Sequence, residues 1–151
     1  MEGVSGDKMN DWFAEYQMLP DDDVKKYYKE FILDADQKAI VLDYERFVAA
    51  TELMASSPDD LLLKYDERIN IADDVALTFG DECVYIASYL KDNQCIDEKV
   101  YNLVMQIEEQ LELLSNEHNE KNWTIQAMNS DERWIRARAA ANEVRKLSDE
   151  F

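Results

Sequence analysis

Glycine, proline, histidine and cysteine are all scarce in this chain, and each shortage removes a class of fold or function. Of 151 residues only 3 are Gly and 2 are Pro, and Gly3 and Gly6 stand within the first six positions. Sheets connect through turns rich in Gly, Pro and Asn-Gly steps, so this composition predicts long helices joined by few loops. The same shortage excludes the glycine loops that cradle phosphates or dinucleotides and the G-x-S-x-G nucleophile elbow.

Histidine, the commonest general acid/base and metal ligand, occurs once, as His118. With one imidazole and two distant cysteines, neither a Cys-His nucleophile nor a zinc ligand set can be assembled. Di-iron bundles need Glu-x-x-His, and the residue three before His118 is Ser115. Asp34, Asp36 and Glu45 occupy the first, third and twelfth places of a calcium loop. Lys38 and Ala39, however, fall where a ligand and a sharp-turn glycine are required. No catalytic residue, metal or cofactor is therefore expected, and the protein does not read as an enzyme.

Long apolar runs are missing too. Nowhere do about 18 consecutive apolar residues occur, so no membrane span is expected. The opening Met1-Glu2-Gly3-Val4-Ser5 has neither the basic nor the apolar region of a signal peptide. Cys83 and Cys95 are the only cysteines and read as reduced, packed thiols. These features predict a cytoplasmic protein.

Acidic and apolar residues are abundant. A 46% hydrophobic fraction, with 3 Trp, 8 Tyr and 5 Phe, argues against disorder. The balance of 34 acids to 16 bases gives a formal charge of −18. Repulsion of that size opposes compaction and disfavours nucleic acid and anionic lipid as direct partners. A charge-steered partner must be basic.

Helical periodicity runs along the chain. A first helix is expected from Asp7 to Leu19, with Trp12, Phe13 and Tyr16 on one face and Pro20 ending it. Asp21-Asp22-Asp23 suits a helix start, and Val24, Tyr27, Tyr28, Phe31 and Ile32 then follow at helical spacing. After a break near Asp34–Asp36, a helix should reach Ala55 with Ile40, Tyr44, Phe47, Thr51 and Met54 inward. Ser57-Pro58-Asp59-Asp60 joins a cap, a first-position proline and two first-turn acids. From there Leu62, Tyr65, Ile69, Ala72, Ala76 and Phe79 form one stripe, with a kink or short break at Gly80 before Cys83, Ile86, Ala87 and Leu90 resume it.

Asp97 is placed to cap a helix to about His118, whose position at the helix end suits contact with free carbonyls. Along it Val100, Val104, Ile107, Leu111 and Leu114 are spaced like a heptad seam, as in an antiparallel bundle. Asn129 or Ser130 opens a last helix carrying Trp134, Ala137, Ala141, Val144 and Leu147. That helix also holds Arg133, Arg136, Arg138 and Arg145, four of the six arginines, which predicts docking against acidic neighbours. The fold expected is an all-α, single-domain antiparallel bundle of about six or seven helices. Residues 1–151 form one acidic domain, with residues 1–6 disordered.

With catalytic motifs absent, function is expected at the surface. Several acidic clusters sit at helix starts, where cap and dipole explain them. Asp73-Asp74 and Glu108-Glu109-Glu112 read as mid-helix, where the dipole gives no reason for them. Glu98, Tyr101, Met105, Glu108 and Glu112 form a stripe beside the heptad face. Together, Asp73, Asp74, Glu98, Tyr101, Met105, Glu108, Glu109 and Glu112 are the candidate partner-binding residues. Carboxylates on rigid helices can stand where phosphates would lie, and can steer association with a cationic protein. In size, charge and helicity the chain looks like immunity proteins that neutralise nuclease toxins, and like phage-encoded nucleic-acid mimics. The function expected is inhibition of a basic toxin or nucleic-acid-binding protein. The alternative is a non-catalytic helical adaptor using the Val100–Leu114 seam and the Trp12–Ile32 region as partner surfaces.

Overall fold

The computed structural model describes residues 10–149. The expected disorder of residues 1–6 and the expected helix start at Asp7 lie outside them. Nine α-helices and no strand occur among the described residues. In chain order they are α1 (Asp11–Gln17), α2 (Asp22–Phe31), α3 (Ala35–Ala55), α4 (Pro58–Lys64), α5 (Ile71–Phe79), α6 (Tyr85–Asp92), α7 (Glu98–Asn116), α8 (Ile125–Ser130) and α9 (Glu132–Asp149). The protein is an all-α single domain, and no described helix is long and apolar enough to cross a membrane.

Side-chain caps define most helix starts. Asn10, Asp21, Asp34, Ser57, Asn70, Asp97 and Thr124 each accept a backbone N–H from the first turn they precede. At Asp34 the cap is reciprocal: Gln37 N–H donates to Asp34 Oδ1 at 2.8 Å and Asp34 N–H to Gln37 Oε1 at 2.9 Å. Asp34 thus spends its carboxylate on helix initiation. The chain after α7 closes through His118, whose φ of 50° is left-handed and whose N–H donates to the Ser115 carbonyl.

Two departures from the sequence reading account for the extra helices. The segment from Pro58 to Phe79 is two helices, because the Asp66 carboxylate folds back onto the N–H and guanidinium of Arg68 and Asn70 then caps α5. The break shifts the apolar phase, so Leu61, Ile71, Ala72, Val75 and Phe79 are buried while Leu62 and Ile69 are exposed. The second departure is α8, with α9 opening at Glu132 after Asp131 instead of at Asn129 or Ser130. Gly80 does not break the chain either. Residues Gly80–Val84 wind as a π-turn between α5 and α6, with Gly80 itself at helical φ −59° and ψ −48°. One wider turn advances the register so that Phe79, Cys83, Ala87 and Leu90 all face inward.

The core is built on α9, which packs on both α7 and α3. Arg133 at the start of α9 meets Glu117 just past α7, while Asn142 bonds the carbonyl of Ala55 at the end of α3. The heptad residues Val100, Val104, Ile107, Leu111 and Leu114 are all buried, as are Trp134, Ala137, Ala141 and Val144 of α9. That seam is consequently interior and unavailable to a partner. The alanines of α9 let the helices approach closely, and Trp134 fills the end of the interface. Truncating a buried aromatic of this kind costs about 3–5 kcal/mol.

Asn122 is the buried polar hub at that end. Its Nδ2 donates to the Leu114 carbonyl at 3.1 Å and to Glu117 Oε1 at 2.9 Å, and its carbonyl accepts Trp134 Nε1–H at 2.8 Å. Far from this hub, Asn10 N–H donates to the Gln94 carbonyl at 2.9 Å, tying the start of α1 to the α6–α7 turn. Cys83 and Cys95 are buried free thiols, each pushed up to about 12 by burial. A thiol held neutral at that pKa packs as a small apolar group.

Helix α2 contradicts its own sequence pattern. None of its residues is buried, and Val24, Tyr27, Phe31 and the following Ile32 point to solvent, with only Tyr28 packed inward.

Candidate functional site

The site lies where α5 passes the C-terminal half of α7. Asn70 positions the start of α5 from both sides: its Oδ1 accepts Asp73 N–H at 3.0 Å, and its Nδ2 donates to the Trp123 carbonyl at 3.1 Å. Trp123 ends a single 3-10 turn, Glu120–Trp123, and its ring meets that of Trp134 edge-on at 5.8 Å. The buried Trp134 thereby anchors an otherwise half-exposed tryptophan beside Asp73.

An open groove of about 300 Å3 results, lined by Asp73, Ala76, Leu77, Glu108, Leu111, Glu112, Ser115 and Trp123. A second hollow shares Asp73 and Trp123 and runs on to Glu120 and Lys121. Leu77 stands 67% exposed at the rim. Three carboxylates from two helices, 35 or more positions apart in sequence, thus frame an apolar floor.

Glu108 is perturbed by its surroundings. Partial burial, and next the charge of Glu112 one turn along, hold its carboxyl above the ordinary glutamate range. Among the described residues none of Asp73, Glu108 and Glu112 is ion-paired; the basic side chains that do form pairs are Lys29, Arg46, Arg68, Arg133 and Arg136. Such a groove can take up a cationic group, which would offset the repulsion between Glu108 and Glu112. No cluster of three or more His, Cys, Asp or Glu placed to hold a metal ion occurs among the described residues.

The eight candidate residues divide. Asp73, Glu108 and Glu112 meet in the groove. Asp74 turns away, accepting the Tyr65 hydroxyl at 2.5 Å, and burial together with that bond raises the tyrosine's pKa. Both Asp73 and Asp74 lie in the first turn of α5, not mid-helix, so the helix dipole does account in part for their presence. Glu98 likewise sits in the first turn of α7. Tyr101 and Met105 lie half-buried further up the same flank, with Lys91 Nζ 4.5 Å from the centroid of the Tyr101 ring. Glu109 is exposed beside the groove without lining it.

Leu77, Ser115 and Trp123 were not among the sequence candidates. Leu77 stands one turn after Asp73, which is a usable local signal, but Trp123 reaches the groove only through a turn with no periodic pattern.

The arginine-rich last helix is less complementary to its neighbours than its composition implies. Arg133 binds Glu117 at 2.6 Å and Asp131 at 2.8 Å, whereas Arg136 pairs within its own helix, Arg138 bonds the Met128 carbonyl and Arg145 bonds Asn142. One arginine of the four supplies the ionic link between elements. Compared with protein-family models, curated proteins and solved structures, the chain matches none of them.

Proposed function

We propose that this chain is a non-catalytic protein-binding inhibitor of the immunity or antitoxin kind, acting in the cytoplasm. Its target is a basic, nuclease-like toxin or another nucleic-acid-binding protein whose site it covers with an acidic face. The observation that carries this reading is the groove itself, where Asp73, Glu108 and Glu112, none of them ion-paired among the described residues, surround Leu77 and Trp123. Fixed carboxylates supply the charge pattern a phosphate-binding surface recognises, and the exposed leucine and half-exposed tryptophan supply apolar contact.

On this reading the neighbouring gene encodes a basic toxin, and the purified toxin associates with the chain at a rate that falls steeply with salt. Replacing Glu108, Glu109 and Glu112 with Gln slows association by about tenfold or more at low salt while the melting temperature holds or rises. An unchanged on-rate in that folded variant makes the stripe a solvated face and removes the reading. A second reading, a helical adaptor, is favoured by the outward apolar face of α2, although the Val100–Leu114 seam it also invoked is buried. Partner binding indifferent to salt selects the adaptor.

A further inference from the structure

Helix α2 lies on the body by its lysines and turns its aromatic face outward. Lys29 Nζ reaches Glu45 Oε2 on α3 at 3.3 Å, and Lys25 Nζ stands 5.9 Å from the centroid of the Tyr16 ring, which Tyr28 also approaches. Residues 25, 28 and 29 share one face of the helix, so that face is the docked one. Val24, Tyr27 and Phe31 share the face turned to solvent, with Tyr27 60% and Phe31 68% exposed. Their neighbour Ile32 is more than half exposed, as is Met18 at the end of α1. The two outward rings contact each other at 5.0 Å between centroids, so the patch is already ordered. A surface helix ordinarily does the reverse, and contiguous exposed aromatic area of this kind marks an interaction surface.

Charge identifies what covers it. Asp23 and Glu30 flank Tyr27 at i−4 and i+3, and exposed Lys26 stands one turn from each, so two acids and one lysine border the apolar row on that side. Asp23 and Glu30 are exposed, and neither is ion-paired among the described residues. A second copy would bring together two molecules that each carry −18. An anionic lipid surface is repelled for the same reason. A helix with an apolar stripe flanked by Lys or Arg satisfies the apolar row and the two acids at once. We propose that the outward face of α2 is a docking surface for a basic amphipathic helix of a partner protein, the partner's apolar residues seating on Val24, Tyr27 and Phe31 and its cations on Asp23 and Glu30. This surface is separate from the α5–α7 groove and stands whether or not the groove binds a toxin.

The probe is a fluorescent Leu/Lys peptide of about 18 residues with leucines at helical spacing, long enough to form a helix. It is titrated with the full chain in about 0.15 M salt, where long-range attraction is screened. Saturable binding is expected, weakened by roughly tenfold or more in Tyr27→Ser/Phe31→Ser and again in Asp23→Lys/Glu30→Lys. These residues are exposed, so circular dichroism of each variant should match the parent. Glu108→Gln/Glu109→Gln/Glu112→Gln should bind the peptide within about twofold of the parent, which separates this surface from the groove. Equal binding by Tyr27→Ser/Phe31→Ser overturns the proposal. So does equal binding of a peptide of the same composition with its leucines scrambled out of helical register, since attraction would then be diffuse. Dimerisation of the free chain that Phe31→Ser abolishes assigns the face to a second copy and overturns it as well.

Discussion

Glu108 is a half-buried carboxyl whose surroundings oppose its charge. Burial and the neighbouring Glu112 both raise its pKa, so the folded chain holds this proton to a higher pH than the unfolded chain does. Stability from this group is therefore greatest below the ordinary glutamate range, about 4.3, and declines as pH rises through the raised value. Above that window, Glu108→Gln removes an unfavourable i,i+4 like-charge pair and should stabilise the fold by about 0.2–0.5 kcal/mol. In a domain of this size that is a rise in melting temperature of roughly 0.5–2 °C at neutral pH. The gain should vanish as the pH falls below about 4. Thermal melts of both proteins across that range check it. A Gln variant that is less stable at neutral pH would show that the ionised carboxylate has a stabilising partner.

Elements here are defined by their caps and by one unusual turn. The π-turn Gly80–Val84 keeps α5 and α6 in one continuous helical path while shifting the phase of the buried face. Glycine is not required at its first position: φ and ψ are helical, and a Cβ built there meets nothing within 4 Å. Gly80→Ala should therefore stabilise the chain by about 0.5–1 kcal/mol, because alanine loses less backbone entropy on folding. Urea unfolding with an unchanged m-value is the measurement. Destabilisation would mean that the wider turn needs a residue without a side chain.

Local sequence resolves some helix boundaries and misses others. Ser57 with Pro58, and Asp97, mark the helix starts at which they stand, whereas the Asp34–Asp36 stretch reads only as a break. Asp66 and Arg68 do not advertise a break, because the apolar spacing from Leu62 to Phe79 is continuous until a side chain captures its own backbone.

At the scale of the whole molecule, net charge of −18 acts on the folded state as mutual repulsion. The described ion pairs use few of the acids, and most of those pairs are at the surface, where each contributes little. Raising ionic strength from about 0.01 to 0.15 M shortens the screening length from about 30 to 8 Å. The melting temperature should therefore rise with sodium chloride over this interval. A fall would mean that the ion pairs, led by Arg133 with Glu117 and Asp131, outweigh the repulsion.

Sequence by itself determined the helical class, some of the caps, Ser57 and Asp97 among them, and the identity of the central seam, because these depend on neighbours within about four positions. Val100, Val104, Ile107, Leu111 and Leu114 declare one buried face, and Phe47, Thr51, Met54 and Trp134 declare others, from spacing alone. Only the tertiary structure decided which acids meet and which apolar face stays outside. Asp73 lines one groove with Glu108 and Glu112, and beside it Asn70 bonds the Trp123 carbonyl, a contact across 53 positions that no local pattern encodes. For α2, periodicity marks an apolar side but does not say which side the body takes. Tyr28 against Tyr16, with Lys25 and Lys29 beside it, faces the body, leaving Tyr27 and Phe31 to solvent.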